Sequence, residues 1–407
     1  MLPQSGLSLE QAPPLGVVLG LFFVGSLFGV VAGVMVAFYG VEVFDPNSVG
    51  AVSITHLFTI GVMLFFMFGA LFQMLPVIAG VRLSSPSIKS NILLYPLAFG
   101  VVFFLFGVNI NIPYLYIIAS VLLGVSLVFI ISIILKELLK LTNHTPSSKG
   151  MTVALISLLL VVTMGVYMLL AISGVISPIY YQEIKVAHYS YGLFGWITLL
   201  IISISFQVIE MFYVTPPYPT IMSRYLPLIL FVTILFSLLS PLYLVIVGIL
   251  LIIYASTTLL RLTQKKRPLN DATIWFWRLG LSFLIISIPS IYIYPPIAYI
   301  SYGAFVISIL FAMFYKIVPF LTWFHLSSQG YFTAPMMHEI ISPKMALKHL
   351  YLHIITIILY LSSLLYSDII ILAGVSTSLS FMTISYHIIY AKNIYKKTQQ
   401  NEQKMEY

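Results

Sequence analysis

Hydrophobic runs occupy almost the whole chain, and each is long enough to cross a bilayer, which takes about 20 apolar residues. A segment inside lipid must satisfy its own backbone hydrogen bonds, so it folds as a helix. Only 7% of the residues are charged, against roughly 25% in soluble domains. The sequence therefore predicts an all-α integral membrane protein. Its twelve runs are residues 15–40, 51–80, 91–110, 113–139, 151–175, 184–213, 222–240, 241–263, 273–294, 296–326, 348–366 and 368–392.

The basic residues indicate how these helices are oriented. If the N-terminus is cytoplasmic, nearly every Lys and Arg falls on the cytoplasmic side, and Lys185 is the exception. Membrane proteins follow this rule in their short loops. We therefore expect both termini in the cytoplasm, and the net charge of +8 requires no nucleic acid partner. The chain has no cysteine, which excludes disulfides and thiolate metal sites.

The run at 53–80 has two partial copies further along the chain. It carries His56 near its start and ends in an aromatic-Gln-Met-Leu-Pro sequence, while the copies begin at His188 and Tyr299. The copies open with S-Y-G-L-F and S-Y-G-A-F, and self-similarity at regular spacing indicates repeated structural units. We expect the second, sixth and tenth helices to be equivalent. The single membrane domain, 1–407, would then contain three four-helix pseudo-repeats at 15–139, 151–263 and 273–392.

Two histidines lie at similar depths near the outer ends of equivalent helices, His56 on the second and His188 on the sixth. A polar side chain inside a membrane helix usually has a partner, so each could simply be hydrogen-bonded to a carbonyl. Two imidazoles at matched depth also favour a shared metal, because neutral imidazole ligates haem iron and copper. We expect small glycines to leave room for a flat ligand there; they are Gly61, Gly192 and Gly195.

Other polar residues extend this candidate site. Tyr299 and Tyr302 on the tenth helix would hydrogen-bond a ligand or replace an imidazole as a weaker one. His349 and His353 are four residues apart and share a helix face, and spacing reveals no third ligand beside them. His353 is the better placed for burial, so it is the candidate for a second, inner-side site.

A further polar group lies near the inner ends of the three repeated helices, where Gln73, Glu210 and Lys316 occupy equivalent places. One interpretation is a cluster in which Glu210 and Lys316 pair and relay protons. The alternative is that the long side chains extend to the cytoplasmic interface.

Twelve spans in three four-helix units, with histidines on the outer half of helices two and six, resemble the catalytic subunit of haem-copper oxidases. The resemblance implies that His56 takes the low-spin haem position and His188 the first copper-ligand position. The seventh helix has no histidine, and the tenth has Tyr299 and Tyr302 where that family has imidazoles. A competent dioxygen-reducing centre is therefore not expected. The segments G-A-L-F-Q-M-L-P-V-I-A-G-V, F-Q-V-I-E-M-F-Y-V-T-P-P-Y-P and Y-K-I-V-P-F-L-T-W-F-H-L are similar to the reduced, NnrS-like branch of the superfamily.

That branch is associated with haem, copper and nitric oxide stress. The resemblance implies a haem-binding, oxidase-like protein of a bacterial or archaeal cytoplasmic membrane, acting in respiratory or nitric-oxide-related metabolism. Its cofactor would be a b-type haem, with copper as a second metal. Its partners would be membrane lipid and a cytochrome c or another respiratory subunit, and whether it is an enzyme stays open. The alternative function is a twelve-helix secondary transporter, a class that usually has two related halves.

Overall fold

The computed structural model describes residues 12–237, 239–240, 242–266, 271–331 and 333–401, and the regular structure within these ranges is helical. A short 3₁₀ turn, Gly40–Phe44, extends the first helix, and the single turn Met337–Ile340 precedes the eleventh. The main helices are α1 Leu15–Tyr39, α2 Val49–Ala79, α3 Pro86–Ile110, α4 Pro113–Leu139, α5 Pro146–Ile172, α6 Tyr181–Tyr213, α7 Thr220–Phe236, α8 Leu242–Thr263, α9 Ala272–Ile293, α10 Pro295–Ser328, α11 Pro343–Ser363 and α12 Ile369–Asn401.

Each predicted hydrophobic run coincides with one of these helices. In the described part of the chain, 11 helices are long and apolar enough to cross a membrane. The remaining helix, α7, has 17 residues and contains Pro227. Large apolar side chains such as Phe38, Phe99 and Val125 are exposed on the outside of the bundle, which only a lipid environment tolerates on this scale. The chain is therefore a multi-pass membrane protein, as predicted.

Proline and small polar residues mark the helix starts. Proline is the first residue of α3, α4, α5, α10 and α11, where its missing N–H is not needed. Side-chain oxygens of Ser48, Thr145, Asp271 and Ser342 accept backbone N–H groups at the starts of α2, α5, α9 and α11, which satisfies otherwise unpaired donors. The predicted boundary between the runs 273–294 and 296–326 is confirmed, since α10 begins at Pro295, whereas the boundary between 222–240 and 241–263 falls at Pro241, outside the described residues.

The central helices are α2, α6 and α10, which bury the largest share of their residues. Around them the outer helices pack in chain order: α3 on α4, α4 on α5, α7 on α8, α8 on α9 and α11 on α12. The ring closes because α12 packs along α1. Within the described residues, the core of the bundle therefore consists of three long helices, which the other nine main helices surround.

Small residues bring α1 and α12 into backbone contact. A Cβ added at Gly374 would lie 2.5 Å from the Gly33 carbonyl oxygen, and one added at Gly33 would collide with Gly374 in turn. Ser378 Oγ donates a hydrogen bond to the Val30 carbonyl over 2.9 Å. Because lipid removes the hydrophobic driving force between helices, close packing of small residues and interhelical hydrogen bonds hold such contacts together.

Candidate functional site

Two of the three central helices contain a π-helical segment of 8 residues, Leu57–Leu64 in α2 and Tyr191–Thr198 in α6. The fifth residue of each segment is a glycine, Gly61 or Gly195. By contrast, α10 is α-helical along its whole length. Wide turns of this kind are rare and occur often at functional sites. His56 directly precedes the first segment, and His188 lies shortly before the second.

The structure brings His56 and His188 together, with their ring centroids 6.2 Å apart and their planes 23° from parallel. His56 Nδ1 lies 2.8 Å from the Val52 carbonyl oxygen, and His188 Nδ1 lies 3.1 Å from that of Val161. A carbonyl can only accept, so each Nδ1 carries the proton and each Nε2 keeps its lone pair. Histidines that bind metals commonly have their other N–H held in this way.

The surroundings of this histidine pair are apolar. The ring of Phe104 on α3 lies 4.6 Å from that of His56, and Gly165 of α5 lies against His188. Among the described residues there is no group of three or more His, Asp or Glu side chains able to hold a metal ion. The pair therefore supplies two nitrogen ligands, and a metal bound there must bring its other ligands with it.

Two of the three glycines expected to make room for a flat ligand are instead packed against side chains. An added Cβ at Gly61 would lie 3.1 Å from Phe28, and one at Gly195 would lie 2.9 Å from Ser157. These two glycines serve close helix packing. At Gly192 the nearest atoms belong to Val161 at 3.9 Å, so only this glycine leaves an open side.

Tyr299 and Tyr302 connect α10 to the other two central helices. Tyr299 Oη lies 3.0 Å from Thr55 Oγ1 on α2. Tyr302 Oη donates to the Leu193 carbonyl over 2.6 Å and lies 3.0 Å from Thr198 Oγ1. Leu193 and Thr198 both belong to the π-helical segment of α6, so that segment provides the acceptor that anchors α10.

An apolar cavity of about 360 Å³ lies between α2, α6, α10, α11 and α12, next to the ends of α1 and α9. Tyr299, Tyr302 and His353 line it, whereas His56 and His188 are not among its lining residues. The structure thus places the residues predicted to bind a cofactor in two groups. One group is the histidine pair between α2 and α6, and the other is the wall of this cavity.

His353 also belongs to a buried cluster with His349 and His387. Its Nε2 lies 2.9 Å from Ser308 Oγ, and His349 Nε2 lies 2.8 Å from Ser380 Oγ. The nitrogen that usually faces a metal is therefore engaged by a hydroxyl in both residues. For the second, inner-side site predicted at His353, the two Nε2 atoms are therefore occupied by hydroxyls, and a metal would have to bind through Nδ1.

Aromatic rings complete the histidine cluster. Phe311 lies 4.5 Å from His349 and 5.1 Å from His353, measured between ring centroids. Tyr315 Oη lies 3.0 Å from His387 Nδ1. Ser308, Ser380 and Tyr315 were not singled out from the sequence, because serines and tyrosines recur along all these helices without a distinguishing pattern.

Of the two interpretations of the inner polar group, the pairing of Glu210 with Lys316 is not the one found. Lys316 Nζ lies 2.6 Å from Asp271 Oδ2, because Asp271 immediately precedes α9 beside the inner part of α10. Glu210 instead accepts the backbone N–H of Tyr218 over 2.9 Å. Gln73 Oε1 is buried and has no hydrogen-bond partner within the described ranges.

The charge of Lys316 controls the ionisation of its partner. Burial raises the pKa of the Asp271 carboxyl, but the Lys316 charge and hydrogen bond, with those of Thr273 and the Ile274 N–H, outweigh burial and leave the pKa below its usual range. Tyr213 Oη lies 2.7 Å from Thr273 Oγ1, so this polar group joins the inner ends of α6, α9 and α10.

A spacing shared by α2 and α6 marks their two π-helical segments in the sequence. Gly61 is followed eleven residues later by Phe72-Gln73, and Gly195 by Phe206-Gln207 at the same spacing. Aligning the segments in this register places His56 opposite Ser190, two residues after His188. The two histidines therefore meet although their positions on the two helices are not equivalent.

No protein-family model matches this chain, and no curated protein matches it closely enough to count as a relative. Fold and site define its class instead. The protein is a multi-pass helical membrane protein with two imidazole rings 6.2 Å apart beside π-helical segments of its central helices.

Proposed function

We propose that this chain is a haem-binding membrane protein of oxidase-like architecture, and that His56 and His188 would hold a b-type haem. The proximity of the two rings supports this most directly, because their centroids are 6.2 Å apart. In each histidine Nδ1 donates to a backbone carbonyl, which leaves Nε2 free to bind iron.

The donor set also suits a haem. A bare ion would lack ligands at a site with two imidazoles, whereas the porphyrin supplies the remaining ligands of haem iron. The Val52 and Val161 carbonyls would fix both rings, Phe104 would form an apolar wall, and Gly192 offers the open side. When bound, a haem would supply one-electron redox chemistry.

We also propose that the chain consists of three four-helix pseudo-repeats and is related to the haem-copper oxidase superfamily. The helix contacts support three units, 15–139, 151–263 and 273–392, because the first helix of each packs on its second and third. The last helix of each unit also packs on the first helix of the next, including α12 on α1. The shortness of α7 and the absence of a π-helical segment from α10 make the repeat imperfect.

The proposed role is in respiratory or nitric-oxide-related metabolism of a bacterium or archaeon, with a cytochrome c or another respiratory subunit as electron partner and copper as a second metal. Reduction of dioxygen is not part of it, because α7 carries no histidine and Tyr299 and Tyr302 are bonded to neighbouring helices. Steady oxygen consumption with a reduced donor, abolished by cyanide, would contradict this restriction.

The experiment that tests haem binding is the absorbance spectrum of the protein purified from a host with ample haem. We expect a Soret band and, after reduction, the sharp visible bands of a low-spin b-type haem. A protein that folds, remains monodisperse in detergent and contains no haem by pyridine haemochrome assay would overturn the proposal.

The proposed orientation places both termini in the cytoplasm and is supported by the distribution of Lys and Arg. Because the chain has no cysteine, a single introduced cysteine is the only residue of this chain that a maleimide can label. A membrane-impermeant maleimide should label Ser177→Cys, between α5 and α6, in intact cells. Asn143→Cys, between α4 and α5, should react only after permeabilisation, and the reverse pattern would invert the topology.

The alternative of an ion-coupled secondary transporter is less well supported. Transporter sites near the membrane centre typically use ionisable side chains to bind coupling ions. The residues lining the cavity of about 360 Å³ include no Asp, Glu, Lys or Arg.

A further inference from the structure

The apolar cavity that Tyr299, Tyr302 and His353 line has no part in the proposed haem site. Its volume of about 360 Å³ falls within the range of small-molecule pockets. No charged side chain lines it in the described structure. The cavity therefore suits an uncharged molecule.

The walls favour a flat ring. Phe58, Phe194, Phe311 and Phe381 all line the cavity, and aromatic rings pack well against other flat rings in offset or edge-on arrangements. Among the lining residues, Ile291 and Tyr299 are 44% and 39% exposed. We infer that the cavity opens beside them, where a hydrocarbon tail attached to the ring can extend into the bilayer.

One polar group in the cavity has spare hydrogen-bonding capacity. The hydroxyls of Tyr299, Tyr302 and Tyr360 are already bonded within the protein. His353, which is 4% exposed, bonds Ser308 through Nε2, and its Nδ1 has no hydrogen bond to any described residue. Because a serine hydroxyl can donate or accept, Nδ1 can serve a ligand carbonyl as a donor or a ligand hydroxyl as an acceptor.

We propose that this cavity binds a neutral, ring-bearing lipid of the quinone type, one that carries a carbonyl or hydroxyl oxygen on a flat ring. The ring lies between the phenylalanine side chains, the oxygen contacts His353 Nδ1, and the tail leaves beside Tyr299 and Ile291. The proposal does not depend on haem at the histidine pair, because the two groups of residues do not overlap.

The test uses the full chain in lipid nanodiscs, titrated with decylubiquinone while its intrinsic tryptophan fluorescence is followed. We expect saturable quenching that excess cholesterol, a ring lipid without a flat π system, does not reverse. Quenching that never saturates would overturn the proposal. Displacement by cholesterol at equal concentration would show that the cavity takes ring lipids in general and would overturn the quinone assignment.

Two variants locate the binding. Gly303 lines the cavity and has open space around an added Cβ, so Gly303→Leu should fill the cavity and weaken binding at least about tenfold. Gly16→Leu is the matched control, since Gly16 also has open space but lies at the start of α1. Equal affinity in the two variants would place the quinone elsewhere and refute the proposal.

His353→Leu examines the polar contact and should weaken binding up to about tenfold, the equivalent of one hydrogen bond. Unchanged affinity in this variant would refute the assigned oxygen contact. Haem absorbance, recorded on the same samples, should be the same in all three variants. Loss of quinone binding with haem retained, or the reverse, thus distinguishes failure of this proposal from failure of the proposed function.

Discussion

The two groups of histidines in this bundle differ in the ring nitrogen that the protein uses. In His56 and His188, Nδ1 donates to a backbone carbonyl and Nε2 remains available. In His349 and His353, a serine hydroxyl engages Nε2. A carbonyl fixes the tautomer, whereas a hydroxyl accepts either one. The comparison shows that burial alone does not identify a ligand histidine, since the more deeply buried group is the one with its Nε2 atoms occupied.

Removing the imidazoles should have the largest effect and tests the comparison directly. We expect His56→Ala and His188→Ala each to lower the haem absorbance per protein about tenfold or more, because each removes one of the two residues proposed to hold the haem. His349→Ala is the control and should keep the wild-type spectrum. If His349→Ala loses haem while both other variants keep it, the roles of the two groups are reversed.

The next largest effect concerns stability within the histidine cluster. Ser380→Ala should cost about 1–3 kcal/mol of unfolding free energy, because it leaves His349 Nε2 unpaired in a buried site. His349 Nδ1 already has no partner among the described residues. Thermal unfolding in detergent measures the change. Thr163→Ala removes a hydroxyl from the exposed face of α5 and should change the stability little. If it lowers the unfolding free energy as much as Ser380→Ala does, the hydroxyl in the histidine cluster stabilises the protein no more than an exposed one.

A smaller loss, about 1 kcal/mol, is expected for Ser308→Ala. His353 borders the cavity, where water can replace the lost hydroxyl if polar partners remain. A double-mutant cycle with His353→Ala should give a coupling energy of similar size. Coupling indistinguishable from zero would show that the 2.9 Å contact contributes nothing to stability.

The smallest effect is expected for the ion pair between Asp271 and Lys316 at the inner end of the bundle, in contrast with the neutral hydrogen bonds of the histidine cluster. Because the pKa of Asp271 is lowered in the folded protein, its contribution is complete above the unfolded value of about 3.9. That contribution is lost as the pH falls through the folded pKa. The pair is partly exposed, so we expect less than about 1 kcal/mol. Asp271→Asn should make the free energy of unfolding depend less on pH in this acid range. An unchanged pH dependence would show that the pair does not contribute to it.

The helices could be predicted from the sequence because every apolar run inside lipid must satisfy its own backbone hydrogen bonds and so folds as a helix. The boundary at Pro295 could also be predicted, because proline interrupts a helix through its own backbone geometry. The proximity of His56 and His188 was correctly anticipated, but not its geometry. Their meeting depends on π-helical segments, whose extra residue shifts the register without a hydrophobic signal. The pairing of Lys316 was missed because Asp271 lies in a loop outside the repeat, and a cap position does not reveal which side chain from another helix will approach it.

The contact between Gly33 and Gly374 has a consequence for how the protein is made. It joins the first and last of the twelve helices, and the nearby bond from Ser378 to Val30 spans 348 residues of sequence. Membrane insertion proceeds from the N-terminal side, so α1 enters the bilayer long before its main neighbour is synthesised. Until then its glycine face has only lipid, or an assembly factor, to cover it. Closure of the ring is thus a late step of biogenesis, and a ribosome stalled before α12 would leave an open bundle for quality-control proteases to recognise.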